Sequence, residues 1–355
     1  MKHKTSCSKQ NQFKHVLQSG DNLLPCQASK YAQIVAPKGQ QNLMIPLIYH
    51  PIYSKLPLPD GHRYPIHKYR LLYQTIETKR QSDSQWQALF CYHQPTPLLR
   101  AEVEQTHCKR YIEQLFSGTL AVSPMRRIGF PWSERLIERT LTSAGGTCLT
   151  AELALKSGVA IHLSGGYHHA HYDYGSGFCL LNDLVLAAKR SLLQEGIDKV
   201  LIVDSDVHHG DGTATLCQDN QAIVTLSFHC DKNFPARKPD SDIDIALPRD
   251  TGDPEFLSVF ESVVTMAINC HQPDLILYDA GVDIHQDDEL GYLNISTEAI
   301  FARDKRMFET AKQRAIPIAC VVGGGYRNDH SELVPIHMQL LNAAFEVYAK
   351  SEEKT

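Results

Sequence analysis

From residue 143 onward the chain alternates short, continuous apolar runs with longer stretches whose apolar residues recur every three or four positions. That alternation predicts strands and helices in turn. The runs at 159–163, 199–207, 222–228, 275–279 and 316–322 read as strands, and residues 147–156, 181–195, 254–270 and 297–314 read as helices, with a closing helix near 331–348. Upstream, residues 43–49 (LMIPLIY) read as a buried strand and 66–78 as a helix, whereas 85–127 shows no settled period. The strands are apolar along their whole length, as parallel strands covered on both faces are. The expectation is a single-domain α/β fold over residues 43–350, with a mainly parallel sheet flanked by helices. Residues 1–42, rich in Lys, Gln, Ser and Asn, read as a flexible or partly docked extension, and 351–355 as a tail.

Composition narrows the class. With 43% hydrophobic and 21% charged residues, the chain is globular and not disordered. Its 35 basic against 40 acidic residues give a net charge of -5, which excludes a broad electrostatic grip on nucleic acid or anionic lipid. No apolar run approaches the roughly 20 residues of a membrane span, and no signal-peptide core follows the first residues, so the expected location is cytoplasmic. Ten cysteines without a CxxC pair suggest scattered reduced thiols. The 18 histidines are the unusual count, because imidazole is both a common metal ligand and the usual proton carrier near neutrality.

Ligands of a parallel sheet bind beyond the carboxyl ends of its strands, and four of the expected strands end in polar or glycine-rich clusters. They are Ser164-Gly165-Gly166-Tyr167-His168-His169, the run from Asp204 to Gly212, Ala280-Gly281-Val282-Asp283, and Gly323-Gly324-Gly325-Tyr326. Asp204, Asp206 and His208 follow an i, i+2, i+4 pattern, which an extended backbone points to one side. Two carboxylates and an imidazole suit Zn²⁺ or Fe²⁺, and three protein ligands with an open position form the catalytic pattern. Asp283 can complete a set of Asp206, His208 and Asp283, leaving Asp204 to act behind it. His168 and His169 suit proton transfer to and from a water and a leaving amine, with Asp204 and Asp211 as the carboxylates available to orient them. The triple glycine lacks the lysine of a phosphate loop, and Tyr326 beside a metal suits an oxyanion donor.

The runs GGYHHAHYDYGSGFCLLND, DSDVHHGDG, DAGVDIHQDDELGYLNIS and GGGY together resemble the zinc-dependent histone deacetylase superfamily, which includes acetoin-utilisation proteins and acetylpolyamine amidohydrolases. The resemblance spans roughly residues 44–350 and is most similar to class IV-like bacterial members. It implies a hydrolase acting on linear amides, with Asp206, His208 and Asp283 holding Zn²⁺. His168 and His169 are then the acid/base pair, backed by Asp204 and Asp211, and Tyr326 is the oxyanion donor. Phe178 matches the aromatic wall of an acyl-lysine tunnel and the Gly177 carbonyl the group that meets the substrate amide. A structural K⁺ is implied on backbone oxygens of Asp204, Asp206 and His208 with Ser227 and Phe228, and Arg70 is implied as lining an internal acetate exit. The substrate implied is an acylated lysine or related amine. Two other readings remain: an arginase-like ureohydrolase with two Mn²⁺ ions, which needs further bridging aspartates, and a non-catalytic acyl-lysine binder.

Overall fold

The computed structural model describes residues 44–349, so the extension expected at 1–42 and the tail at 351–355 lie outside the described residues. In chain order the elements begin β1 (Ile45–Ile48), α1 (Lys68–Ser82), α2 (Ser84–Leu89), β2 (Phe90–His93), α3 (Arg100–Val103), α4 (Lys109–Phe116), α5 (Val122–Ile128) and α6 (Glu134–Ser157). They continue β3 (Val159–His162), α7 (Asp183–Ser191), β4 (Val200–Asp204), α8 (Asp211–Cys217), β5 (Ile223–Cys230), β6 (Ile243–Leu247) and α9 (Asp253–His271). The last are β7 (Leu275–Asp279), α10 (Thr297–Gln313), β8 (Ile318–Val321) and α11 (Leu333–Ala349). One eight-stranded sheet runs β2-β1-β3-β8-β7-β4-β5-β6, and every neighbouring pair is parallel. Helices flank it, giving the expected α/β class. No helix among the described residues is long and apolar enough to cross a membrane.

The six strands expected from their apolar runs are all present, and each is buried at every residue. The two strands that the pattern missed are the sheet edges. β2 is buried only at Phe90, and β6 alternates until Leu247, so neither carries a continuous apolar run. A second correction concerns the strand expected at 199–207, which stops at Asp204. Asp206 and His208 therefore lie on a loop, and the i, i+2, i+4 argument for one shared side does not hold.

Helix α6 spans 24 residues where only 147–156 was expected. Ser133 caps it by accepting from the Leu136 N–H, and Gly158 ends it in the left-handed region at φ 82°. Its Gly145-Gly146 pair reads locally as a break but serves packing. A Cβ on Gly145 would sit 2.2 Å from the Thr96 carbonyl oxygen, and one on Gly146 2.4 Å from His162 Nε2. Helix propensity favours alanine over glycine by about 1 kcal/mol, but overpacking against fixed backbone costs about 1–3 kcal/mol. Gly145→Ala is accordingly expected to destabilise the fold, and a denaturation midpoint at or above that of the parent chain would contradict this account of the helix.

Candidate active site

Strands β3, β8, β7 and β4 are consecutive in the sheet and parallel, so their carboxyl ends meet at one edge. These are the four strand ends singled out by sequence. His208 Nδ1 lies 2.9 Å from Asp206 Oδ1 and 3.2 Å from Asp283 Oδ2, and the coordinating atoms of all three residues fall within 4.8 Å of one another. Asp206 is further held by N–H donation from His208 and Gly324, and Asp283 Oδ1 by the Val207 N–H. Burial works to lower the His208 pKa, yet the two carboxylates raise it to about 10. Asp283 is raised to about 6 by burial and by Asp206.

Asp204 is not part of this trio. Its Oδ2 accepts from His168 Nδ1 at 2.7 Å, and it groups instead with His168 and Asp279, a carboxylate that sequence reasoning missed. His169 Nδ1 donates to Asp211 Oδ1 at 2.7 Å, and the two Nε2 atoms of His168 and His169 are 3.1 Å apart. Burial opposes charge on His168, but Asp204 and Asp206 drive its pKa well above the ordinary range. His169 is pulled down to about 3 by burial and by His168. The surroundings thus favour the charged form at His168 and the neutral form at His169. Behind them Asp183 accepts from the N–H groups of Gly166 and Tyr167, which fixes the turn that presents the histidines. His107 buttresses the same loop: its Nδ1–H donates to the His171 carbonyl and its Nε2 accepts from the Asn182 N–H.

A narrow pocket over these groups is walled by Phe178 and Tyr326, whose ring centroids are 6.1 Å apart, with Tyr64 5.4 Å from Phe178. Phe178 holds a left-handed φ of 66°, a strained value for a side chain of its size. Tyr326 is held by its own N–H donating to Asp288 Oδ2, and burial together with Asp206 and Asp283 pushes its hydroxyl pKa well up, so it stays a donor. Phe234 reaches the same site from the loop after β5, its ring 4.8 Å from that of His169. Ser227 stands opposite Asp204 in register, next to Phe228, and its hydroxyl lies 3.1 Å from His229 Nδ1.

Arg70 does not line this interior: it sits on the exposed face of α1. The buried cation of this helix is Lys68, whose Nζ donates to the carbonyls of Gly323 at 2.9 Å and Gly325 at 3.5 Å. Burial lowers its pKa to about 8. Lys68 shares the stripe of Leu72 and Ile76 at four-residue spacing, so a charge on an apolar face was the available signal. Arg139 is buried too, donating to the Tyr53 carbonyl and the Tyr64 hydroxyl.

The sequence matches the histone deacetylase domain over residues 62–340. The chain belongs to the histone deacetylase family. It is 42% identical over 304 residues to an uncharacterized protein of Picosynechococcus sp., covering 85% of this chain and 99% of that one. It is 30% identical over 252 residues to histone deacetylase 2 of Arabidopsis thaliana, covering 68% of this chain and 65% of the plant protein, just under two thirds. It is 34% identical over 174 residues to the acetoin utilization protein AcuC of Staphylococcus aureus, with 45% of this chain and 44% of that protein aligned. As a member of this deacetylase family, the chain is a hydrolase acting on amide bonds.

Histone deacetylases are metal-dependent, and the trio of Asp206, His208 and Asp283 fits an ion. Asp283 Oδ2 is buried without a hydrogen-bond partner. A Cβ on Gly324 would fall 2.2 Å from that oxygen and 2.3 Å from Asp206 Oδ2, so only glycine leaves this cradle open. Two ligands about 2.0–2.2 Å from a tetrahedral ion stand roughly 3.3–3.6 Å apart. The 2.9 and 3.2 Å separations at His208 approach that spacing.

The His107 buttress makes a pH prediction. Burial lowers its pKa from 6.5 to about 4, so the unfolded chain binds a proton that the folded chain refuses between those values. Stability from this residue is complete above about pH 6.5 and falls as pH drops toward 4. His107→Gln removes the titration, so the gap in unfolding free energy between parent and variant is expected to narrow by about 2 kcal/mol from pH 7 to pH 5. Denaturant titrations at both pH values measure it, and an unchanged gap contradicts the assignment.

Proposed function

We propose that the protein is a zinc-dependent deacylase that removes an acetyl or other acyl group from the side-chain amine of lysine in proteins, or from a related amine. The observation that carries this reading is the His168–His169 pair, Nε2 to Nε2 at 3.1 Å, each imidazole with its own carboxylate, beside a three-residue set able to hold one ion. In this reading Asp206, His208 and Asp283 hold Zn²⁺, or Fe²⁺ in its place. The ion, when bound, polarises the acyl carbonyl and acidifies a water.

The chain's own groups supply the rest. His169, kept neutral, accepts the proton of the attacking water at Nε2, while Asp211 holds its Nδ1–H and so its tautomer. Asp204 does the same for His168. A histidinium of the pair then gives a proton to the departing amine, which leaves as a free amine beside acetate. The Tyr326 hydroxyl donates to the oxyanion of the tetrahedral intermediate. The Gly177 carbonyl accepts the substrate amide N–H, and Phe178 walls the lysine stem. A structural K⁺ on backbone oxygens of Asp204, Asp206 and His208 with Ser227 and Phe228 is part of the proposal, supported by the register that sets Ser227 against Asp204. We also read the location as cytoplasmic, supported by free thiols at all eight described cysteines.

Loss of one oxyanion donor usually costs about 10² to 10³ in kcat, so Tyr326→Phe is expected to lose that much while keeping its zinc. Near-normal turnover would exclude the role. Asp206→Ala and His208→Ala are expected to lose the active-site ion by metal analysis. Peptides with acetyl-lysine, peptides with longer acyl-lysines, and acetylpolyamines, assayed side by side, identify the substrate, and no hydrolysis of any of them would refute the deacylase reading.

A further inference from the structure

A further group of side chains of metal-ligating type lies outside the active site. Parallel pairing of β5 with β6 sets Ser227 opposite Asp244 and His229 opposite Ala246. Side chains alternate along a strand, so Ser227 and His229 share one face and the register brings Asp244 onto it. His209, on the loop after β4, closes the group: its Nε2 is 3.1 Å from Asp244 Oδ1, and its ring meets that of His229 edge-on at 4.6 Å. The coordinating atoms of His209, His229 and Asp244 all lie within 4.8 Å of one another.

The hydrogen bonding around these rings differs from that of the buried structural histidines. His107 and His162 engage both ring nitrogens with protein groups. His229 engages only Nδ1, with the Ser227 hydroxyl, which orients the ring and leaves Nε2 for a ligand. His209 is wholly buried, and its Nδ1 has no partner. Asp244 Oδ2 takes the Ser241 N–H at 2.8 Å, which turns Oδ1 toward His209. The His209 to Asp244 separation lies slightly under the roughly 3.3–3.6 Å between two ligands of one tetrahedral ion. Two imidazoles and a carboxylate suit zinc and its divalent transition-metal neighbours, and the Asp244 side chain, 29% exposed, gives an ion a way in.

His229 and Asp244 flank the loop that carries Phe234 to the active site. We propose that His209, His229 and Asp244 form a second site, for a divalent transition-metal ion of the zinc class, that clips the base of the Phe234 loop. Closing a loop at its base removes conformational freedom from everything it carries.

The test is a zinc count on the full chain, stripped by chelator, re-equilibrated with Zn²⁺ and freed of excess. The parent is expected to hold two ions, and Asp244→Asn and His229→Gln one each, with deacylase activity retained and the Phe234 loop cut faster by protease. Asp206→Ala is expected to keep one ion, at the outer site. A parent holding a single ion that Asp206→Ala abolishes would overturn the proposal, as would two ions undiminished in both outer variants. Two ions in Asp206→Ala with one in Asp244→Asn would support the outer site and refute the active-site ligands instead, so the two assignments fail separately.

Discussion

Two carboxylates, Asp206 and Asp283, converge on one nitrogen of His208 where almost no water reaches, and the rest of the site is arranged around that concentration of charge. An isolated ionised carboxylate in a protein interior is costly unless it is paired, hydrogen-bonded or bound to a metal. Backbone N–H groups from Val207, His208 and Gly324 meet part of this need, and Asp283 Oδ2 remains without a hydrogen bond. Those donors follow β4 and β8, and Asp283 follows β7 between them, so only the neighbouring parallel strands bring them to one edge. Gly324 and Gly281 are required for space, since a Cβ at either position would press on the Asp206 carboxylate.

The same charge sorts the two histidines. They are adjacent in sequence and nearly touch at Nε2, yet their environments push them apart. His168 faces Asp204 and Asp206, with Asp279 close by, which favour its charged form; His169 has one carboxylate, Asp211, in hydrogen-bond contact and His168 against it. A pair so biased presents one base and one acid without a large rearrangement. Asp183 and His107, which touch neither ring directly, keep the loop in the shape that makes the asymmetry hold.

Legibility in the sequence followed burial. Central strands such as β4 and β7 are apolar along their whole length and announce themselves, whereas edge strands β2 and β6 are half-solvated and look like loop. Helix α6 was half-hidden because Gly145 and Gly146 answer to Thr96 and His162, contacts distant along the chain. Arg70 and Lys68 illustrate the same point at the site. Both lie in one short run, and only the helical stripe shared with Leu72 and Ile76 tells which one faces inward. Asp279 and Asp288 gave no spacing signal for the site, because what ties them to it, the grouping of Asp279 with Asp204 and His168 and the Tyr326 N–H donated to Asp288, comes from other strand ends.

The sequence by itself determined the α/β class, the positions of the four strand-end motifs and the chemical kinds of group they carry, because a continuous apolar run and a glycine-rich turn are local properties. Tertiary structure decided which of those groups meet. It brought Asp206, His208 and Asp283 within reach of one another, grouped Asp279 with Asp204 and His168, and set His209 beside Asp244. Strand order and register fix these choices, and both arise from pairings between segments far apart in the chain, which no local pattern encodes.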